Sequence, residues 1–192
     1  MRREVDSIDE LRAIVGEPDK YVANKVKDRL SPVHRDWLAH SPLGFVATTD
    51  AQGRVDVSPK GDPPGFVHII DDATIAIPER PGNKRADGYC NVLQRPHVGT
   101  LFLIPGRGDT LRINGTARIL ADADYFDSLT VKGRPILALE LDIEEVFFHC
   151  AKAFLRSDAW DPATWNPVLA SPKRYSSSGS SSAGLLEYRF GG

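Results

Sequence analysis

The sequence predicts a mainly β protein, an antiparallel barrel with helices at its periphery, and three observations predict it. From Leu43 onward the hydrophobic period is two rather than three to four, so apolar and β-branched residues alternate with polar ones as they do in strands. The extended runs follow one another through short turns such as DAQG, DDA and GRGD, too short for the crossovers that parallel strands need. Helical patterns between them are brief, which argues against an alternating α/β sheet.

The elements follow in order. Ser7 with Glu10 three residues later is a capping-box pattern, and Ile8, Leu11 and Val15 share one face of a short helix that stops at Gly16. A second helix is expected from Asp19 through YVANKVKDRL. Ser31-Pro32 caps a third, with Val33, Trp37 and Leu38 at helical spacing and Ser41-Pro42 at its end. LGFVATT and RVDVSPK form a hairpin, and FVHII and TIAIP form another. HVGTLFLIP and TLRINGTARIL form a third, residues 122–129 suit a short helix, and ILALELDIEEVFFHC returns to strand. These elements divide the chain into a helical lead-in (1–42), a barrel domain (43–165) and a tail (166–192) whose Ser/Gly tract buries too little apolar surface to order itself.

Totals narrow the function. The chain has 192 residues, enough for a core of its own, and a formal net charge of -2 with charges spread throughout, which disfavours a general nucleic-acid binder. No apolar run approaches the roughly 20 residues that cross a bilayer, and MRREVDSIDELR lacks the apolar centre of a secretory signal, so a cytoplasmic protein is expected. Cys90 and Cys150 lack metal-ligand spacing and are read as buried, reduced thiols. The five histidines are scattered, so no metal site is expected, and neither a GxSxG elbow nor an HExxH helix is present. His149 and Cys150 are neighbours whose side chains diverge, which rules out a nucleophile-and-base pair.

The stretch richest in chemistry is PERPGNKR, residues 78–85. Pro81-Gly82 makes a turn whose backbone a bound oxyanion can approach closely. Asn83, Lys84 and Arg85 then place an amide, an ammonium and a planar guanidinium fork together. The residues after it have helical spacing, with Ala86, Tyr89, Cys90 and Leu93 on one side, so an anion held by the loop would also face a helix N-terminus. A solvated polar turn fits these residues as well.

Three segments taken in order, GFVATTDAQGRVDVSPKGDPPGFV, PERPGNKRADGYCNVLQRPHVGTLFLIPG and TLRINGTARI, resemble the pyridoxamine 5'-phosphate oxidase-like family of FMN-binding split β-barrels, over roughly residues 43–160. The resemblance implies an FMN-binding antiparallel split barrel, working as a homodimer whose flavin sites lie at the subunit interface. It places Ser58 and Lys60 along the flavin or its ribityl chain and Asn83, Lys84 and Arg85 at the phosphate. Lys60 reads equally well as an exposed strand-end lysine, and Asp62 suits a loop-shaping role better than proton transfer. Arg112 shares a strand face with Asn114, and the resemblance brings it to the ring edge or to the partner's phosphate, although a surface arginine fits too. HCAKAFLRSDAW, if helical, aligns His149, Lys152 and Arg156 as contacts for an acidic substrate or the partner's site, or as a basic stripe beside an interface formed by Phe154 and Trp160.

The activity implied is an FMN-dependent oxidoreductase acting on a small molecule, with a nicotinamide as a possible electron donor and no side chain committed to catalysis. A flavin carrier, store or redox sensor uses the same loop, and relatives of this fold also bind haem or a deazaflavin. Vitamin B6 oxidation is not the leading expectation, because the chain lacks the C-terminal substrate-phosphate signature of true pyridoxamine phosphate oxidases.

Overall fold

The computed structural model describes residues 2–19, 25–82, 84–129 and 133–165. Contacts divide the chain into two units, Met1–Trp160 and Asp161–Gly192. In the second, a 3-10 turn over Pro162–Thr164 is capped by the Asp161 carboxylate, which accepts from the Ala163 N–H at 2.9 Å.

The first unit is built on seven antiparallel strands. They are β1 (Leu43–Thr49), β2 (Val55–Gly61), β3 (His68–Ile69), β4 (Thr74–Glu79), β5 (His97–Leu103), β6 (Thr110–Leu120) and β7 (Leu137–His149). Their order in the sheet is β2-β1-β5-β6-β7-β4-β3. This is the antiparallel split β-barrel that the sequence predicts, and all three hairpins are where their turn residues put them. The first turn is held by Asp50, whose carboxylate accepts from the Gln52 and Arg54 N–H groups at 2.9 Å each.

Among the described residues the sheet is accompanied by four short helices: α1 (Ile8–Val15), α2 (Pro32–His40), α3 (Asp87–Gln94) and α4 (Lys152–Ser157). The Ser7 hydroxyl caps α1 by accepting from the Glu10 N–H at 3.2 Å, yet the apolar residues of α1 all remain exposed. Of the helix expected from Asp19 to Leu30, residues 20–24 lie outside the described residues. Residues 25–30 are not helical: Lys27 is bridged to Val146 on β7 and the Leu30 N–H donates to the Asp72 carbonyl, so tertiary partners satisfy backbone groups there. In α2, Ser31 caps and Pro32 starts the helix as expected, and Trp37 and Leu38 enter the core while Val33 stays outside. Residues 122–129 hold a 3-10 turn, Asp124–Ser128, rather than an α-helix.

The core fills the barrel from both ends of the sequence. Val46, Ile75, Ile77, Phe102, Leu111, Ile113, Leu141 and Val146 point inward from the strands and meet Trp37 and Leu38 of α2 and Val92 of α3. The Trp37 indole N–H donates to the Phe102 carbonyl at 3.3 Å, which satisfies its polar end inside the core. On the other side of β4 and β7, Phe126 seals a smaller cluster over Ala76 and Ala138.

The long β6–β7 pair carries one irregularity. Asn114 pairs with Glu145 but Gly115 pairs with Ile143, so Glu144 is an extra residue and β7 bulges beside Gly115.

Three half-buried or buried imidazoles set a pH dependence. Burial lowers the pKa of His34, whose Nδ1 accepts the Ser31 N–H at 3.2 Å, and that acceptor is lost on protonation. Burial also lowers His68, stacked on Tyr125 and partly offset by Glu140, and lowers His149, where Arg112 and Lys25 add to it. Below pH about 6.5 the unfolded chain binds protons that these rings refuse, so stability is full above that pH and declines as pH falls through it. The urea midpoint is expected to be lower at pH about 5.5 than at about 7.5; an unchanged midpoint would show that the three rings protonate as freely folded as unfolded.

Candidate functional site

The edge strand β2 has an inverted pattern. Its apolar residues Val55 and Val57 are exposed, while Asp56, Ser58 and Lys60 face inward and are half-buried. Side chains two apart share a face, and Ser58 lies opposite Val46 of β1, so the polar row continues the barrel interior. A polar row turned into a barrel is costly unless something there needs it.

What meets that row is β4, which is near the other edge of the sheet. Lys60 Nζ lies 2.5 Å from Glu79 Oε2, and Arg80 Nε lies 2.7 Å from Asp62 Oδ2. These two ion pairs bridge the seam between β2 and β4. Tyr89, from α3, donates its hydroxyl to the same Glu79 oxygen at 2.6 Å, and Lys60 sits 4.9 Å from the centre of its ring. Burial, then the Glu79 carboxylate, pushes the Tyr89 hydroxyl far above the ordinary tyrosine range, so it stays protonated and donating.

A cavity of about 380 Å³ opens at this seam, lined by Asp56, Ser58 and Lys60 of β2, Glu79, and residues 85–89 at the start of α3 among others. Helix α3 begins there without a side-chain cap. Its first residue follows Ala86, which is in the left-handed region at φ 55°, as is Lys84 at φ 64°. The first N–H groups of a helix have no partners within it, and here they belong to residues that line the cavity. Non-glycine residues at positive φ are uncommon and concentrate where a loop has a task.

Gly88 lets the helix come this close. A Cβ on it would lie 3.3 Å from Asp56 Oδ2, 3.4 Å from Ser58 Oγ and 3.5 Å from Thr48 Oγ1. Below it, the Asn91 amide donates to Thr48 Oγ1 at 3.0 Å and pins the helix to β1.

The structure thus brings Ser58, Lys60 and Arg85 to one cavity. Arg85 pairs with Asp87 at 2.7 Å in an exposed contact. Lys84 is exposed and does not line the cavity, and Asn83 lies outside the described residues. Lys60 is half-buried and doubly engaged, not a free strand end. Asp62 holds Arg80 and shapes the loop.

Arg112, His149, Lys152 and Arg156 are elsewhere in the chain. Arg112 and Asn114 do share a face, on the outside of the sheet. His149 ends β7 and is not helical, so it cannot align with Lys152 and Arg156 on a helix; those two lie on α4. Phe154 and Trp160 stack on one another, with ring centroids 5.6 Å apart.

Some site residues escaped the sequence reading. Glu79 and Tyr89 were within or next to PERPGNKR, and a carboxylate inside an anion loop was the available signal. Asp56 had none beyond its place in the alternation. Other expectations fail on exposure: Cys90 and Cys150 are free but exposed, and the inward face of α3 carries Asn91 and Val92 while Cys90 and Leu93 point away. Among the described residues no helix is long and apolar enough to cross a membrane, and no group of side chains has the makings of a metal site.

The arrangement can hold an elongated ligand with an anionic end, the anion at the open helix N-terminus beside Arg85 and the remainder along Ser58, Lys60 and Tyr89. The family model for pyridoxamine 5'-phosphate oxidase matches residues 30–150. No curated protein matches the chain. Among solved structures it is similar to a putative pyridoxamine 5'-phosphate oxidase from Lactobacillus delbrueckii, at 25% identity over 63% of this chain and 95% of that one, with a TM-score of 0.49. It is also similar to HupZ of Group A Streptococcus, at 23% identity over 62% and 93% with a TM-score of 0.49. A third is HutZ, a heme storage protein from Vibrio cholerae, at 17% identity over 64% and 96% with a TM-score of 0.43.

Proposed function

The chain belongs to the pyridoxamine 5'-phosphate oxidase family, and from that premise we propose that it binds FMN and works as an FMN-dependent oxidoreductase on a small molecule. The observation that carries this reading is the cavity at the β2–β4 seam, where an uncapped helix N-terminus and Arg85 stand at one end and the inward polar row of β2 at the other. Its residues fit the cofactor. A phosphate needs several donors at once, which the first N–H groups of α3 and the guanidinium of Arg85 supply. Ser58, whose hydroxyl donates to Asp56 Oδ2 at 3.1 Å, can turn that hydroxyl to a ribityl or ring oxygen, and Lys60, beside Glu79 and over the Tyr89 ring, presents its ammonium to the ring edge. The size suits a single cofactor rather than a large polymer.

When bound, FMN supplies the hydride and electron transfer. The chain's own residues bind it, orient it and limit water at the seam. Tyr89 stays a hydrogen-bond donor at neutral pH, and Lys60 is held beside the Glu79 carboxylate at 2.5 Å.

A homodimer belongs to the same reading. The outer faces of β2, β1 and β5 carry a row of apolar or small residues: Val57 opposite Ala47 opposite Gly99, and Pro59 opposite Phe45 opposite Leu101. Val57 is 57% exposed, and an apolar strand face left open at a sheet edge invites a second copy.

The deciding experiment is a visible spectrum of the full chain after FMN is added and the excess removed, with light scattering for mass, then anaerobic addition of NADPH and NADH and re-oxidation in air. Expected is a dimer that retains flavin, bleaches and recovers. Flavin that is retained but reduced by no nicotinamide turns the reading toward a carrier, store or redox sensor. No retained flavin overturns it.

A further inference from the structure

A second concentration of charge lies on the outer face of the sheet, away from the seam. Arg112 of β6 lies opposite Phe147 of β7, with its guanidinium carbon 5.4 Å from the ring centre. Lys25 Nζ is 5.2 Å from the centre of the same ring and donates to the Phe148 carbonyl at 2.8 Å. The His149 ring is 5.1 Å from Phe147, and its Nε2 is buried with no hydrogen-bond partner among the described residues. Just beyond His149, α4 brings the exposed Lys152 and Arg156.

This end of the chain is firmly held. The Trp160 indole donates to the Arg107 carbonyl at 2.7 Å, and Gly108 lies so close to Ala151 that a Cβ there would approach the Ala151 Cβ to 2.6 Å. The β5–β6 turn therefore fixes the start of α4 next to the start of β6.

Arg112, Lys25, Lys152 and Arg156 make no ion pair among the described residues. Glu145, on the same face as Arg112, lies opposite Asn114 and accepts from its amide at 2.9 Å, and Glu144 accepts from the Thr116 hydroxyl at 2.6 Å. In a chain whose net charge is -2, four cations without an ion pair and a buried imidazole nitrogen without a partner, both among the described residues, form a constellation that an anion would complete.

We infer that Arg112, Lys25 and His149, flanked by Lys152 and Arg156, form a recognition site for the carboxylate or phosphate of a small acidic molecule other than the flavin. Arg112 offers the planar fork that either anion accepts, and Lys25 offers a mobile point charge. Both now rest against Phe147. An anion held by them would accept from a His149 Nε2–H and so supply the partner that this atom lacks among the described residues.

The test is calorimetric titration of the full chain, with and without FMN, at fixed ionic strength, using citrate and inorganic phosphate as separate probes. Nitrogen-15 NMR follows His149 in parallel. Expected is saturable binding of at least one probe, a shift of the His149 nitrogen signals, and a roughly tenfold weaker Kd in each of Arg112→Gln and Lys25→Gln. Arg85→Ala should leave this binding unchanged, which keeps the result separate from the fate of the flavin reading. Which probe binds assigns carboxylate or phosphate. The inference is overturned if neither probe saturates, if binding survives both substitutions, or if it is lost in Arg85→Ala instead. It is equally overturned if Arg112→Gln splits a dimer without altering binding, since the cluster would then belong to an interface.

Discussion

Replacing Arg85 by alanine is expected to weaken FMN binding by about 2 kcal/mol, roughly thirtyfold, and to leave riboflavin binding nearly unchanged. The guanidinium stands at the cavity beside the open N-terminus of α3, where a phosphate would sit. Its ion pair with Asp87 is solvent-exposed, so losing that contact costs the folded state little. Riboflavin has no phosphate and reports whatever else the substitution disturbs. Flavin fluorescence titration of both ligands against both proteins measures the difference. An equal loss for the two would move the phosphate away from Arg85 and leave the helix N-terminus without its main support as an anion site.

Gly115→Ala is expected to be among the most damaging single changes in the chain, at about 4 kcal/mol or more. A Cβ built on Gly115 would lie 1.9 Å from the Asp142 carbonyl oxygen, and that neighbour is backbone in the longest strand pair of the sheet. A flexible side chain could swing aside; here β6 and β7 themselves must part. The bulge at Glu144 exists because the strands come this close, and glycine is the residue that permits it. The readout is the urea midpoint against that of Gly53→Ala, which has no neighbour within reach of a new Cβ and pays only for its positive φ. If both variants unfold at the same midpoint, the close approach at the bulge is refuted.

Much of the fold was legible because its signals are local. Turn residues such as Asp50 and Gly53 specify their hairpin through hydrogen bonds within five residues. The caps of α1 and α2 work over three residues in the same way. Where the local signal was weak, tertiary pairing won: residues 25–30 have moderate helical spacing, but a bridge from Lys27 to Val146 satisfies their backbone better. Faces were harder than elements. Helix α3 turns Asn91 inward and Leu93 outward because Thr48 offers the amide a partner, and no one-dimensional period carries that information.

By itself the sequence determined the strand-by-strand character of the chain, the family it belongs to, and a pointer to one end of the candidate site, because Gly82 and Arg85 lie within one short loop and their chemistry can be read from their names. Only the tertiary structure decided what stands opposite that loop. Lys60 and Glu79 are nineteen residues apart, on strands near opposite edges of the sheet, and meet because the barrel curls until β2 faces β4. The same closure turned Asp56, Ser58 and Lys60 inward and left Val55 and Val57 outside, against the usual sense of the alternation. Hydrophobic patterning states which residues differ from their neighbours; which side becomes the interior depends on what the curled sheet encloses, and here it encloses a polar cavity.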